Sequence, residues 1–123
     1  MNLVDSSGWI EYFTDGKNAD FFARAIEKPS ELILSSINIY EVYKKVLIEK
    51  DEYSAQQIIG IMNLGRIISV DESIAMVAAK ISYENKIPMA DSIIYSTALM
   101  NNAIVWTQDE DFKKFKNVKY IKK

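Results

Sequence analysis

Histidine and cysteine are both absent from the 123 residues, and their absence narrows the chemistry open to the chain. Without cysteine there is no disulfide framework, no thiol nucleophile and no thiolate metal site. Without histidine there is no imidazole base, and the usual zinc sites go with it. Metal chemistry in such a chain has to run on oxygen ligands, which suit hard divalent cations such as Mg²⁺ or Mn²⁺. Only two prolines and four glycines occur, too few for a disordered or low-complexity chain. No apolar run approaches the ~20 residues of a membrane span. Strand-like Asn2-Leu3-Val4 follows Met1 directly, leaving no room for a signal peptide. These absences predict a cytoplasmic protein made of one domain over residues 1–123, large enough to bury roughly two thirds of its unfolded surface.

Charge of either sign is not in excess overall, at a net −2, but it is unevenly placed. All 17 Asp and Glu lie at or before Asp111, against nine Lys and Arg in the same stretch, a net −8. Six lysines, Lys113, Lys114, Lys116, Lys119, Lys122 and Lys123, follow within the last eleven residues, a net +6. A basic end beside an acidic body could guide a polyanion. Lysines at that place also protect a terminal edge strand from aggregation.

Along the chain, strand-like and helical patterns alternate. Asn2 to Asp5 reads as a strand, Ser6 to Phe13 and Lys17 to Glu27 as helices ending near Pro29, and Glu31 to Leu34 as a second strand. Ser36 is expected to cap a helix carrying Ile37, Tyr40, Tyr43, Val46 and Leu47 at helical spacing, and Asp51 to start another running to Gly65. Arg66 to Val70 is a third strand. A helix capped at Asp71 then follows, with Ile74, Val77, Ala78 and Ile81 inward. After Pro88 come a helix from Ala90 to Met100, a strand from Ala103 to Trp106, a short turn at Asp109 to Phe112 and a last strand, Val118 to Ile121. This alternation predicts an α/β fold, a doubly wound parallel sheet with helices on both faces.

Four carboxylates sit where that fold would gather them: Asp5 after the first strand, Glu41 early in a helix, Asp91 in the first turn of another, and Asp109 after the fourth strand. Each has an ordinary structural reading. Asp5 suits an N-cap, Glu41 an i,i+4 pair with Lys45, and Asp91 the positive end of a helix dipole. Thr107 and Glu110 have the spacing of a capping box, with Asp109 as a first-turn acid. Convergence of all four in one crevice is what none of those readings explains, and a cluster of that kind binds divalent cations.

Four segments carry a resemblance. Leu3-Val4-Asp5-Ser6-Ser7, Ser36-Ile37-Asn38-Ile39-Tyr40-Glu41-Val42, Met89-Ala90-Asp91-Ser92-Ile93-Ile94 and Trp106-Thr107-Gln108-Asp109-Glu110-Asp111-Phe112 resemble the signature segments of PIN-domain nucleases. In order, spacing and length the chain is most similar to the VapC-like toxin nucleases of VapBC toxin–antitoxin pairs. The resemblance implies strand order 3-2-1-4-5. It implies Asp5, Glu41, Asp91 and Asp109 as catalytic acids that bind Mg²⁺ or Mn²⁺, with Ser7 and Thr107 as supporting hydroxyls and Asp111 as an alternative to Asp109.

It further implies an endoribonuclease that cuts structured RNA, such as tRNA or rRNA, by metal-activated water, leaving a 5′-phosphate and a 3′-hydroxyl. Trp9, Tyr12, Phe13 and Tyr40 could stack splayed bases, although aromatics at helical spacing more often pack the core. The implied partners are a small VapB-like antitoxin, its tail crossing helices near Trp9, Phe22 and Tyr43, and a second copy paired through apolar helix faces, of which Ile58, Ile61 and Met62 offer one candidate that could equally be core. A housekeeping RNA-processing nuclease and a non-catalytic PIN-like binding module are the alternatives. A phosphatase of the parallel-sheet type is disfavoured, because it wants a second Asp two residues after the first and Ser7 stands there.

Overall fold

The computed structural model describes residues 1–123. Five short strands, β1 (Asn2–Val4), β2 (Leu32–Ser35), β3 (Arg66–Ile68), β4 (Ile104–Thr107) and β5 (Val118–Tyr120), form one sheet in the order β3-β2-β1-β4-β5. Every neighbouring pair is parallel. Six helices make the crossovers: α1 (Ser6–Phe13), α2 (Ala19–Ile26), α3 (Ser36–Glu49), α4 (Glu52–Met62), α5 (Glu72–Asn85) and α6 (Met89–Met100). Expected element types and order are all present, with ends displaced by up to three residues, the largest where α4 stops at Met62 and not at Gly65.

The period-two alternation of strand side chains splits the core into two layers. Val4, Leu32, Leu34 and Trp106 point to one face and pack with Trp9 of α1, Phe22 of α2, Val42 of α3 and Met62 of α4. Leu3, Ile33 and Val105 point to the other and pack with Ile94, Tyr95 and Ala98 of α6 and with Phe112. Because both faces are covered, consecutive residues of the central strands are apolar, as in Leu3-Val4 and Leu32-Ile33-Leu34, and each such full burial contributes ~1.5–3 kcal/mol.

β1 lies between β2 and β4, so the chain winds one way from it toward β3 and the other way toward β5. The carboxyl ends of β1 and β4 therefore border the switch point, where open parallel sheets leave a crevice. Register makes this specific: Val4 stands opposite Trp106, and the Asp5 amide donates to the Trp106 carbonyl at 3.1 Å. Asp5 is thus the first residue past the sheet and sits beside Thr107.

Helix α3 differs from expectation. Its N-cap is Ser35, whose hydroxyl accepts from the Ile37 amide, while the Asn38 side chain accepts from the Ser35 amide to complete a capping box. Ser36 instead accepts from the Val70 amide and ties the helix to the end of β3. Anchored this way, α3 buries Asn38, Val42 and Val46, and Tyr40 and Leu47 face solvent. Of the apolar residues at helical spacing only Val46 is fully buried, because a polar residue, Asn38, shares the buried face.

Buried positions also correct the expected contact surfaces. Trp9 and Phe22 lie wholly inside and cannot meet a partner's tail, and Met62 is core while Ile61 is exposed. Of the aromatics suggested for base stacking, Trp9 is buried, Phe13 packs on it at 5.8 Å, and the Tyr12 hydroxyl donates to Glu27. Tyr40, 59% exposed, is the one left free.

Candidate functional site

Asp5 combines its two sequence readings. It is the N-cap of α1, one carboxylate oxygen accepting from the Gly8 amide at 2.9 Å, and it is also 3% exposed at the floor of the switch-point crevice. Ser7 Oγ donates to it at 3.0 Å, and Thr107 Oγ1 donates at 2.7 Å. Thr107 is held in turn by the Asp109 amide, which donates to its hydroxyl at 2.9 Å. The expected capping box between Thr107 and Glu110 does not form. Asp109 caps the short turn at Glu110–Phe112, accepting from the Asp111 amide.

Glu41 is fixed by residues that sequence reasoning did not single out. Ser6 Oγ donates to Glu41 Oε1 at 2.6 Å and accepts from Asn38 Nδ2 at 3.0 Å. A relay thus runs from the Ser35 amide through buried Asn38 and Ser6 to Glu41. The expected Glu41–Lys45 pair is absent, and Lys45 pairs with Glu49 at 2.9 Å. Asn38 three residues after Ser35 has the spacing of a capping box, and Glu41 is one turn further on the same helix, so the signal was available.

Asp91 stands in the first turn of α6, half-buried. One carboxylate oxygen from each of Asp91, Asp109 and Asp111 lies within 4.8 Å of the others. Asp5 and Glu41 lie outside that trio, yet their charges reach it. Burial and then the charges of Asp109, Glu41, Asp5 and Asp111 push the Asp91 carboxyl up to about 7. Burial raises Asp5 to about 6, against the opposing pull of the hydrogen bonds from Thr107, Gly8 and Ser7. Both shifts report the cost of gathering negative charge in a place with little water. Asp109 and Asp111 both reach the trio, so neither is singled out over the other.

The residues present fit a hard divalent cation. Its donors would all be carboxylate oxygens, it would relieve the repulsion that raises Asp91, and no nitrogen or sulfur ligand competes in the cleft. Similarly placed acids occur without metals on exposed surfaces, but here the hydroxyl and amide donors to Asp5 and Glu41 set their directions.

A doubly wound parallel sheet with carboxylates gathered at its switch point defines the class, an α/β domain with an acidic cleft. The PIN domain family model matches residues 3–118, and the chain belongs to the PIN-domain family. No protein of curated function matches the sequence. Among solved structures, the chain is similar to one from a toxin–antitoxin complex of Klebsiella pneumoniae, at 22% identity and TM-score 0.82 over 97% of this chain and 96% of that one. It is similar to Mycobacterium tuberculosis VapC20, a sarcin–ricin loop cleaving toxin, at 16% identity and TM-score 0.76 over 92% and 93% of the two chains. A chain of the DNA-bound VapBC of Salmonella typhimurium shares 14% identity, with TM-score 0.76 over 99% and 98%. These likenesses establish a common fold.

Proposed function

We propose that the protein is a divalent-cation-dependent endoribonuclease, the toxin of a toxin–antitoxin pair, acting on structured RNA in the cytoplasm. The observation that carries the reading is the gathering of Asp91, Asp109 and Asp111, one carboxylate oxygen of each within 4.8 Å of the others, with Asp5 and Glu41 near enough to add their charge to Asp91, five acids drawn from four separate parts of the chain. Caps and surface pairs explain each acid alone and leave the convergence unexplained. Membership of the PIN-domain family supports nuclease chemistry. Fold neighbours that come from toxin–antitoxin complexes, and one that cleaves the sarcin–ricin loop, support the toxin and RNA parts.

In this reading Asp5, Asp91 and Asp109 hold Mg²⁺ or Mn²⁺, with Asp111 as the alternative to Asp109 and Glu41 binding directly or through water. A bound divalent cation supplies a water of lowered pKa and neutralises charge on a phosphodiester. The chain's own part is placement. Thr107 and Ser7 fix both oxygens of Asp5. The Asn38–Ser6 relay fixes Glu41. The buried floor keeps bulk water from spreading those charges. A small antitoxin and a second copy of the chain complete the assembly we infer, with exposed Ile61 as the part of the candidate dimer face left outside the core and Ile58 packed partly against it.

Asp5→Asn and Asp91→Asn keep side-chain shape and remove charge. Each should reduce Mn²⁺- or Mg²⁺-supported RNA cleavage by about 100-fold or more with unchanged circular dichroism. Full activity in both would remove the site assignment. Expression alone should arrest growth, and co-expression with a small gene encoded alongside should restore it. Harmless expression of a protein that still cleaves RNA would point to a housekeeping nuclease.

A further inference from the structure

Three shallow depressions run along the acidic edge and share walls. One of about 290 Å³ is lined by Tyr40, Glu41, Lys44, Lys45 and Ile48. Glu41 and Lys45 also line the next, about 370 Å³, together with Ser6, Ser7, Gln108 and Lys123. Gln108 and Lys123 in turn line the third, about 380 Å³, with Asp109, Asp111, Tyr120 and Lys122. The result is one trough: Lys44 and Lys45 stand beside Glu41 toward one end, Lys122 and Lys123 stand beside Asp109 and Asp111 toward the other, and Lys45 and Lys123 both border the middle.

The far pair is held in place by its backbone. Past β5 the Ile121 amide donates to the Thr107 carbonyl at 3.0 Å, and Ile121 packs against the core. Buried Asn18 donates from Nδ2 to the Lys122 carbonyl at 3.1 Å and to Gln108 Oε1 at 3.0 Å. A segment that only protected an edge strand would not need a buried asparagine to bring it beside the cleft. Lys122 and Lys123 share a wall with Asp109, Glu110 and Asp111 without forming an ion pair with any of them; Lys45–Glu49 is the one ion pair in the structure. At the near end Lys44 Nζ lies 5.8 Å from the centroid of the exposed Tyr40 ring.

We propose that this trough is the path of the RNA strand: Lys122 and Lys123 hold phosphates on one side of the cleaved bond, Lys44 and Lys45 hold phosphates on the other, and Tyr40 stacks a base. The inference rests on the RNA-cleaving reading above. Single-stranded chains are bound by this combination of backbone-tracking cations and an aromatic face, while the acids beside them would repel the strand unless a cation is bound. The lysines stand along the same walls as the acids and offset that repulsion.

The test uses the full chain with a fluorescein-labelled single-stranded RNA, measuring binding across a salt series and steady-state cleavage with Mn²⁺. K44A/K45A and K122A/K123A should each raise KM roughly 5- to 20-fold with kcat held, and each should lower the slope of log affinity against log salt by about 1.4, since each of the two single-strand phosphate contacts removed contributes ~0.7. Y40A should raise KM and leave the salt slope alone, and K122R/K123R should restore binding. K28A and R66A, at the opposite end of the sheet, should change nothing. If the wild type cleaves RNA and both lysine pairs can be removed without change in KM or salt slope, the path is wrong and the reading of the enzyme stands. Lysine variants that lose only an acidic protein partner would also overturn it. A wild type that neither binds nor cleaves RNA removes both.

Discussion

At Asp5 one carboxylate accepts hydrogen bonds from a backbone amide and two hydroxyls and is still pushed up to about 6, because burial outweighs all three donors. Its neighbour Asp91 is raised to about 7 by burial and then by the charges of Asp109, Glu41, Asp5 and Asp111. A carboxyl whose pKa is higher folded than unfolded holds its proton more tightly in the folded state. Its stabilising effect is complete below the unfolded value near 3.8 and is lost as pH rises through the folded one. For Asp5 the loss amounts to about 3 kcal/mol when ionisation is complete. With chelator present, the melting temperature should therefore fall between pH 4.5 and about 7, and Asp5→Asn should flatten the fall. A metal-free profile that rises over this interval would show that the acids are not crowded together.

At the scale of elements, α1 carries the site because Gly8 lets it lie close to the sheet. A Cβ added there would come within 2.6 Å of both Phe22 Cε1 and Val4 Cγ1, side chains of the close-packed core. Gly8→Ala should thus destabilise the fold by about 1–3 kcal/mol and move the amide that holds Asp5, lowering activity along with the midpoint of a urea titration. A variant of unchanged midpoint would show that the contact relaxes freely. Strands, helices and their order were legible because strand runs such as Leu32-Ile33-Leu34 are apolar and bounded by Pro29 and Ser35, and the acids could be placed from the ends of those runs. The facing of α3 was not legible. Its apolar residues Tyr40, Val42, Tyr43, Val46 and Leu47 fit more than one stripe, and the choice was made by Ser35 and Asn38, polar residues whose partners lie 32 or more positions away at Ser6 or locally at the cap. Nor were the depths of Trp9 and Phe22, since helical spacing fixes a side chain's direction and not how much covers it.

On the scale of the whole molecule, the uneven charge and the crowded cleft make the protein's stability depend on what it binds. A net −8 accumulates before Lys113, and five of those acids meet at the switch point, where they repel one another in the metal-free state. A divalent cation that binds the folded cluster and not the unfolded chain adds RT ln(1 + [L]/Kd), about 2.7 kcal/mol at ~100 times its dissociation constant. For a chain of this size that is a rise of several degrees in the melting temperature. The rise should be larger at pH 8 than at pH 5, because protons on Asp5 and Asp91 compete with the cation for the same oxygens. Replacing both by asparagine should abolish the rise while leaving the effect of matched NaCl in place, which separates site binding from general screening of the acidic body. Mn²⁺ and Mg²⁺ at millimolar concentration that leave the wild-type curve where NaCl leaves it would show that the cleft holds no cation, and the carboxylates would then be helix caps and surface charge brought close by the fold.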